Sequence, residues 1–195
     1  MQLANSKARY GAVSQSLHWL TAILVVCGFL LGQFGDVLPK GPARDGGLLI
    51  HMTLGQCVVA LLLVRLLWRQ VSPPPPLEAT PFGGLLALAA RASHFTLYGL
   101  LLVVPLLGMI VQLKRGNALP VFAVWQVQSP WPVDRNLERS ILSLHGTLAD
   151  ALLILAGLHA SAALMHHWLW RDRTLSRMLP GARLAPRRAG RRVSL

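Results

Sequence analysis

The sequence predicts an all-α membrane protein, a four-transmembrane-helix bundle, and three observations carry that expectation. Hydrophobic residues make up 53% of the 195-residue chain and charged residues only 13%, a balance too apolar for a water-soluble domain. Four apolar stretches, approximately 14–36, 48–69, 93–113 and 141–170, each reach the roughly 20 residues that cross a hydrocarbon core of about 30 Å. All 7 histidines fall inside these stretches or at their edges.

The first stretch, Ser14 to Asp36, follows a basic start with Lys7 and Arg9 and so has the outline of a secretory signal. It is longer than a signal core, closes without an A-x-A-like cleavage site, and carries His18-Trp19 at its entrance, so a retained helix is expected. The second, Leu48 to Arg69, is followed by Ser72-Pro73-Pro74-Pro75-Pro76 and then Pro81 and Gly83-Gly84. Such a run has too few N–H donors and too restricted a backbone for a helix, and reads as a stiff extended spacer. The third stretch is Ser93 to Leu113. Between Arg115 and Arg139, Gly116, Pro120, Pro130 and Pro132 interrupt any helix, while Phe122, Trp125 and Trp131 suit a cap lying in the membrane interface. The fourth stretch, Ile141 to Trp170, completes a transmembrane domain of residues 1–180. The basic residues 181–195, nearly devoid of apolar side chains, are expected to be a disordered tail near anionic headgroups.

The formal charge of +12 raises the possibility of nucleic acid as a partner, but its distribution is that of membrane topology. With four spans both termini share a side. That side holds Lys7, Arg9, Arg65, Arg69, Arg91, Arg171, Arg173, Arg177, Arg183, Arg187, Arg188, Arg191 and Arg192. The other holds only Lys40, Arg44, Lys114, Arg115, Arg135 and Arg139, offset by Asp36, Asp45, Asp134 and Glu138. The positive-inside rule then puts both termini in the cytoplasm of a multi-pass inner-membrane protein, with the lipid bilayer as its main partner and no nucleic acid.

Ionisable groups inside a bilayer are costly, which makes the histidines functional candidates. His145 and His159 are 14 residues apart; at about 100° per residue they return to within roughly 40° of one face, about 21 Å apart along the axis. Each needs a partner at its own depth. The alternating helix directions supply His51 for His145 and His18 for His159. Neutral imidazole is a haem ligand whose second nitrogen normally donates to an acceptor, and for His18 the carbonyl of Ser14 is within reach in sequence. Interhelical hydrogen bonding is the alternative role for these residues. Cys27 and Cys57 belong to no C-x-x-C-H arrangement, so any haem is held without thioether links.

Other candidates cluster around this set. Gly55, four residues after His51, is expected to face a haem, and Arg65, 14 residues after His51, to pair with a haem propionate or to reach for headgroups. Gly28, Gly32, Gly99, Gly108 and Gly157 also lie within spans and permit close helix packing. His166, one heptad beyond His159, is a rival ligand to His159 in pairing with His18; with His167 it is otherwise an interfacial anchor or a quinone contact. His94 is expected to have no partner histidine at its depth and receives no ligand role. Asp150, inside the fourth span, requires a hydrogen-bonding or neutralising partner that the sequence does not identify.

The chain resembles the bacterial cytochrome b561 family, and within it the superoxide oxidase group. The resemblance covers nearly the whole chain. It rests on Ser16-Leu17-His18-Trp19, on Ile50-His51 with Gly55 and Arg65, on Arg115-Gly116-Asn117, and on His145 through Gly157-Leu158-His159 to His166-His167. The closing Trp170-Arg171-Asp172, Thr174-Leu175 and Arg177-Met178-Leu179-Pro180 are similar too. The resemblance implies a bundle enclosing two haem b groups, with His18, His51, His145 and His159 as axial ligands of the haem iron. It further implies superoxide oxidation to O2 at the outer face, with ubiquinone as electron acceptor. Arg115 is then the expected basic group meeting the superoxide anion. Two alternatives are an electron-relay subunit working with a membrane redox partner such as a dehydrogenase or hydrogenase, and a histidine-lined metal or proton transporter. The last explains the histidines but not their two matched depths.

Overall fold

The computed structural model describes residues 2–76, 78 and 84–182. Its four long helices, α1 (Ala12–Phe34), α2 (Pro42–Val71), α3 (Gly84–Lys114) and α4 (Arg135–Trp168), are all long and apolar enough to cross a membrane. Helix α1 packs chiefly on α2 and α3 on α4, the two pairs meet through α2 and α3, and α1 touches α4 only slightly.

Each helix begins before its apolar stretch, and at α2 and α4 the start is stabilised locally. Asp134 accepts hydrogen bonds from the backbone N–H groups of Asn136 (3.1 Å) and Leu137 (3.0 Å), so α4 begins at Arg135, before its apolar face does. Pro42 stands in the first turn of α2, where its missing N–H costs nothing, directly after Gly41 at φ 95°. Within α3, Pro105 removes one backbone donor and loosens the helix beside the cavity described below.

Between α3 and α4 the expected interfacial cap is a small antiparallel hairpin, β1 (Leu119–Val121) and β2 (Trp125–Val127). Phe122 and Ala123 turn it with φ of 49° and 58°. Gln56 of α2 ties the hairpin down, donating to the Pro120 carbonyl and accepting from the Phe122 N–H, both at 2.6 Å. Trp125 is exposed, as an interfacial aromatic would be, and Lys114 lies over the Trp131 ring, 4.9 Å from its centroid.

At the opposite end the two termini are laced together. Asn5 bonds Ser72 through backbone and side chain (2.8 and 2.7 Å), Gln15 donates to the Arg177 carbonyl (3.1 Å), and Trp19 Nε1 donates to the Met178 carbonyl (2.9 Å). Arg177 is buried, paired with Glu78 and donating to Pro76 (2.8 Å), so it is a structural cation and not one of the free basic groups the sequence suggests. Part of the proline-rich spacer, including Pro81 and Gly83, and the basic tail from Arg183 onward lie outside the described residues. Just before α1, burial raises the pKa of Tyr10, keeping a neutral phenol at this rim although Arg65 acts in the other direction.

Candidate functional site

The inward faces of the four helices repeat every seven residues, stacking three layers. Along α1 they read His18, Val25, Gly32; along α2 His51, Val58, Arg65; along α3 His94, Leu101, Gly108; along α4 His145, Leu152, His159. The middle layer is the hydrophobic core: Val58, Leu62, Leu101 and Leu152 are buried, with Leu24, Val25, Leu97, Tyr98 and Leu100 packed against them. A seven-residue spacing keeps one face turned inward over two turns of helix, which is why polar and apolar groups sort into levels.

The layer toward the hairpin holds His51 and His145, whose ring centroids are 6.0 Å apart. The two are braced in the same way. His51 Nδ1 lies 2.8 Å from the Gly28 carbonyl of α1, and His145 Nδ1 lies 2.9 Å from the Val104 carbonyl of α3. Since a carbonyl only accepts, both Nδ1 atoms carry the proton and both Nε2 atoms keep a lone pair able to bind a metal. Four residues on in each bracing helix stands a glycine. A Cβ on Gly32 would be 3.0 Å from His51 Cε1, and one on Gly108 would be 3.1 Å from His145 Cε1. Hydrogen hence stands where any side chain would push the ring away. The cavity beside the pair is apolar and is lined by Gly28, Gly55, Val104, Gly108, Gln112 and Arg115 among others. Gly55 lines it, and a Cβ there would meet Pro105 at 3.5 Å and not a histidine.

The layer toward the termini is built differently. His18 and His159 have centroids 6.4 Å apart, and His94 lies 5.3 Å from His159. The sequence reading left His94 without a partner at its depth; the structure puts it in the same layer, and its spacing of 14 residues from Gly108 is the signal that was available. Arg65 Nη1 approaches His18 Nδ1 at 3.4 Å, in place of the Ser14 carbonyl expected there. Arg65 and Arg69 also lie over the Tyr98 ring, 5.5 and 5.8 Å from its centroid. A guanidinium beside the pair suits a carboxylate such as a propionate.

Both pairs pass a simple test of fit to an iron between two imidazoles. A metal–nitrogen bond of about 2 Å and a ring radius of about 1.15 Å on each side put the centroids roughly 6.3 Å apart. The observed 6.0 and 6.4 Å match that span, too wide for direct hydrogen bonding between the rings.

The remaining candidates fall outside the two pairs. His166 is bonded through Nδ1 to the Asp172 carboxylate, has the Thr174 hydroxyl at 3.4 Å, and lies edge-on to Trp170 with centroids 4.4 Å apart. His166 is thereby committed to this cluster rather than to His18, and His167 beside it is exposed. Arg115 lines the cavity but is also paired, its Nε donating to the buried Glu138 carboxylate at 2.8 Å. Its Nη groups make no hydrogen bond among the described residues. Asp150 is exposed on the outer side of α4.

A membrane helix bundle with internal imidazoles paired at two levels is the architecture of a b-type membrane cytochrome. The chain belongs to the prokaryotic cytochrome b561 family, whose model matches residues 9–181. Cytochrome b561 homolog 2 of Escherichia coli is 34% identical over 188 residues, spanning 92% of this chain and 95% of that protein. The probable superoxide oxidase CybB of Yersinia pestis is 27% identical over 175 residues, 90% and 98% of the two chains. Cytochrome b561 homolog 1 of Escherichia coli is 29% identical, covering 88% and 97%. The protein is thus a multi-pass electron-transfer cytochrome of the bacterial inner membrane, in a family that binds haem b.

Proposed function

We propose that the chain is a dihaem cytochrome that oxidises superoxide to O2 at its hairpin end and reduces ubiquinone near its termini. His51 and His145 hold one haem and His18 and His159 the other. The observation that carries the dihaem reading is the pair of 6.0 and 6.4 Å ring spacings at two depths. The substrate follows the Yersinia pestis relative called a probable superoxide oxidase.

Bound haem supplies one-electron carriage between the two levels. The protein supplies the rest. His51 and His145, held as Nδ1–H tautomers by backbone carbonyls, would hold the haem through their Nε2 atoms, and a haem held by two histidines would supply electron transfer and not oxygen binding. Arg115, fixed by Glu138, presents its remaining N–H groups at the cavity as a local cation for a small anion. At the termini, the His166–Asp172 pair holds a proton beside the interface, where a quinone headgroup would take it up. Two superoxide anions, one quinone and two protons give two O2 and one quinol. The charge distribution supports a hairpin outside and termini in the cytoplasm, so a reporter fused after Leu195 is expected to be active only as a cytoplasmic reporter.

The test is superoxide-dependent quinone reduction by the purified, haem-replete protein at low and high salt. Rapid reduction, slowed by salt, with one quinol per two superoxides is expected. No such reduction at low salt would leave a relay subunit that takes electrons from a docked redox protein.

A further inference from the structure

The hairpin does not stop at the rim of the bundle. The Ala118 carbonyl, just ahead of β1, accepts from Gln112 at 3.1 Å, and Gln112 stands about 16.5 Å along α3 from Leu101 of the middle layer. Pro120 and Phe122 are held by Gln56, which is only about 3 Å along α2 from Val58 of the same layer. From Ala118 to Phe122 the chain therefore descends about 13.5 Å, a drop that four steps of extended backbone cover at about 3.3 Å each. Because β1 packs on both α2 and α3, the descent follows the seam between those helices. Gln56 lies at the middle of α2, and the hydrocarbon core extends about 15 Å to either side of its midplane. The turn stands inside that core, and its residues suit the place. From Ala118 to Val127 the one polar side chain is Gln126, and none is charged. Phe122 and Ala123 hold the left-handed backbone that a hairpin turn in water gives to asparagine or glycine, so apolar side chains are kept there at a cost in backbone energy. Val124 is 88% exposed. Several backbone groups that hydrocarbon would not solvate are met within the protein: the buried Gln56 bonds the Pro120 carbonyl and the Phe122 N–H, and the Val124 N–H donates to the Val121 carbonyl at 3.1 Å.

We propose that the hairpin is a re-entrant element whose tip, Phe122 to Val124, lies among the acyl chains of the leaflet at that end and closes the seam between α2 and α3 from the lipid side. Depth selects hydrocarbon as the partner, since the tip is tied to the middle of a spanning helix. The seam it closes backs onto the cavity of His51 and His145. Gly55 and Gln112 line that cavity, while Gln112 itself and Gln56, the neighbour of Gly55, hold β1 on the other side of the same wall. Two buried glutamines thus carry the chain into the bilayer, one at the rim and one at the foot of the descent. The inference does not depend on the superoxide reading.

The test uses the haem-loaded full chain with Cys27→Ser and Cys57→Ser in phosphatidylcholine vesicles, carrying one new cysteine. Val124→Cys probes the tip, and Asn136→Cys is the control, exposed and about 24 Å along α4 from Leu152. A charged thiol reagent present on both sides of the bilayer should modify Val124→Cys roughly tenfold or more slowly than Asn136→Cys, because a thiol in hydrocarbon does not ionise. A nitroxide coupled to Val124→Cys in detergent before reconstitution should be relaxed more by O2, which partitions into acyl chains, than by a water-soluble nickel chelate, with the order reversed at Asn136→Cys. The haem spectrum should be unchanged in both variants. Modification of Val124→Cys as fast as Asn136→Cys, or relaxation there chiefly by nickel, would put the tip in water and overturn the proposal. Low access of both O2 and nickel would mean that protein covers the tip, a second copy or another chain, and would overturn it equally.

Discussion

The two histidine layers share a bundle and a ring spacing but are held by opposite means. Toward the hairpin, His51 and His145 are oriented by the Gly28 and Val104 carbonyls, each with a glycine four residues on clearing space for the ring. Toward the termini, no backbone carbonyl among the described residues orients His18 or His159; Arg65 and a third histidine, His94, stand beside them. Backbone is rigid and side chains are mobile. The hairpin layer is accordingly preorganised for one tautomer and one geometry, while the termini layer has a charged and adaptable surround. A site meeting a small anion gains from the first arrangement, and a site exchanging electrons and protons with a bulky headgroup tolerates the second.

The comparison is broken most forcefully by removing ligands. His145→Ala is expected to lower haem from about two to about one per chain, with the hairpin-end haem lost, and His159→Ala to remove the other. Haem quantification with a low-temperature spectrum distinguishes them. Next in size is the glycine brace. Gly108→Leu forces a side chain into the His145 ring and should weaken retention of the hairpin-end haem roughly tenfold or more, the lower range for lost support behind a metal ligand. Gly99→Ala is the control, since a Cβ at Gly99 meets nothing within 4 Å.

A smaller and more selective effect is expected at the termini. His94→Ala and Arg65→Leu should leave both haems bound but shift the midpoint potential of the termini-end haem alone, as a redox titration resolves. Loss of that haem in His94→Ala would make His94 a ligand and sharpen the contrast between layers. The smallest effect belongs to Arg115. Because it is already paired with Glu138, reversal to Glu would set two carboxylates together, so Arg115→Gln is the cleaner change. It should slow superoxide-driven haem reduction severalfold at low salt, less at high salt, with the spectrum unchanged.

Much of this was legible in the sequence, because a bilayer imposes lengths and polarity that composition reveals directly. The four spans and the meeting of His51 with His145 and of His18 with His159 follow from hydropathy and helix direction. Failures came where a polar group's partner lies on another helix. The Gly28 and Val104 carbonyls have no sequence mark, since every residue has one. Glu138 and Arg115 are separated by a hairpin that was itself unforeseen, as its turn uses Phe122 and Ala123 at positive φ where glycine or asparagine would have announced it. Arg177 reads as one more basic residue near headgroups until Glu78 is seen beside it.

The apolar middle layer of Val25, Val58, Leu101 and Leu152 has a bearing on bioenergetics. Electrons tunnel through packed hydrocarbon, but protons move along chains of hydrogen-bonding groups or water, and these four side chains carry no such group. With a haem at each histidine level, as proposed above, electrons would cross between the levels through this packing while protons find no relay in it. On that reading, the same packing that stabilises the bundle would also insulate the gradient across the membrane in which it sits.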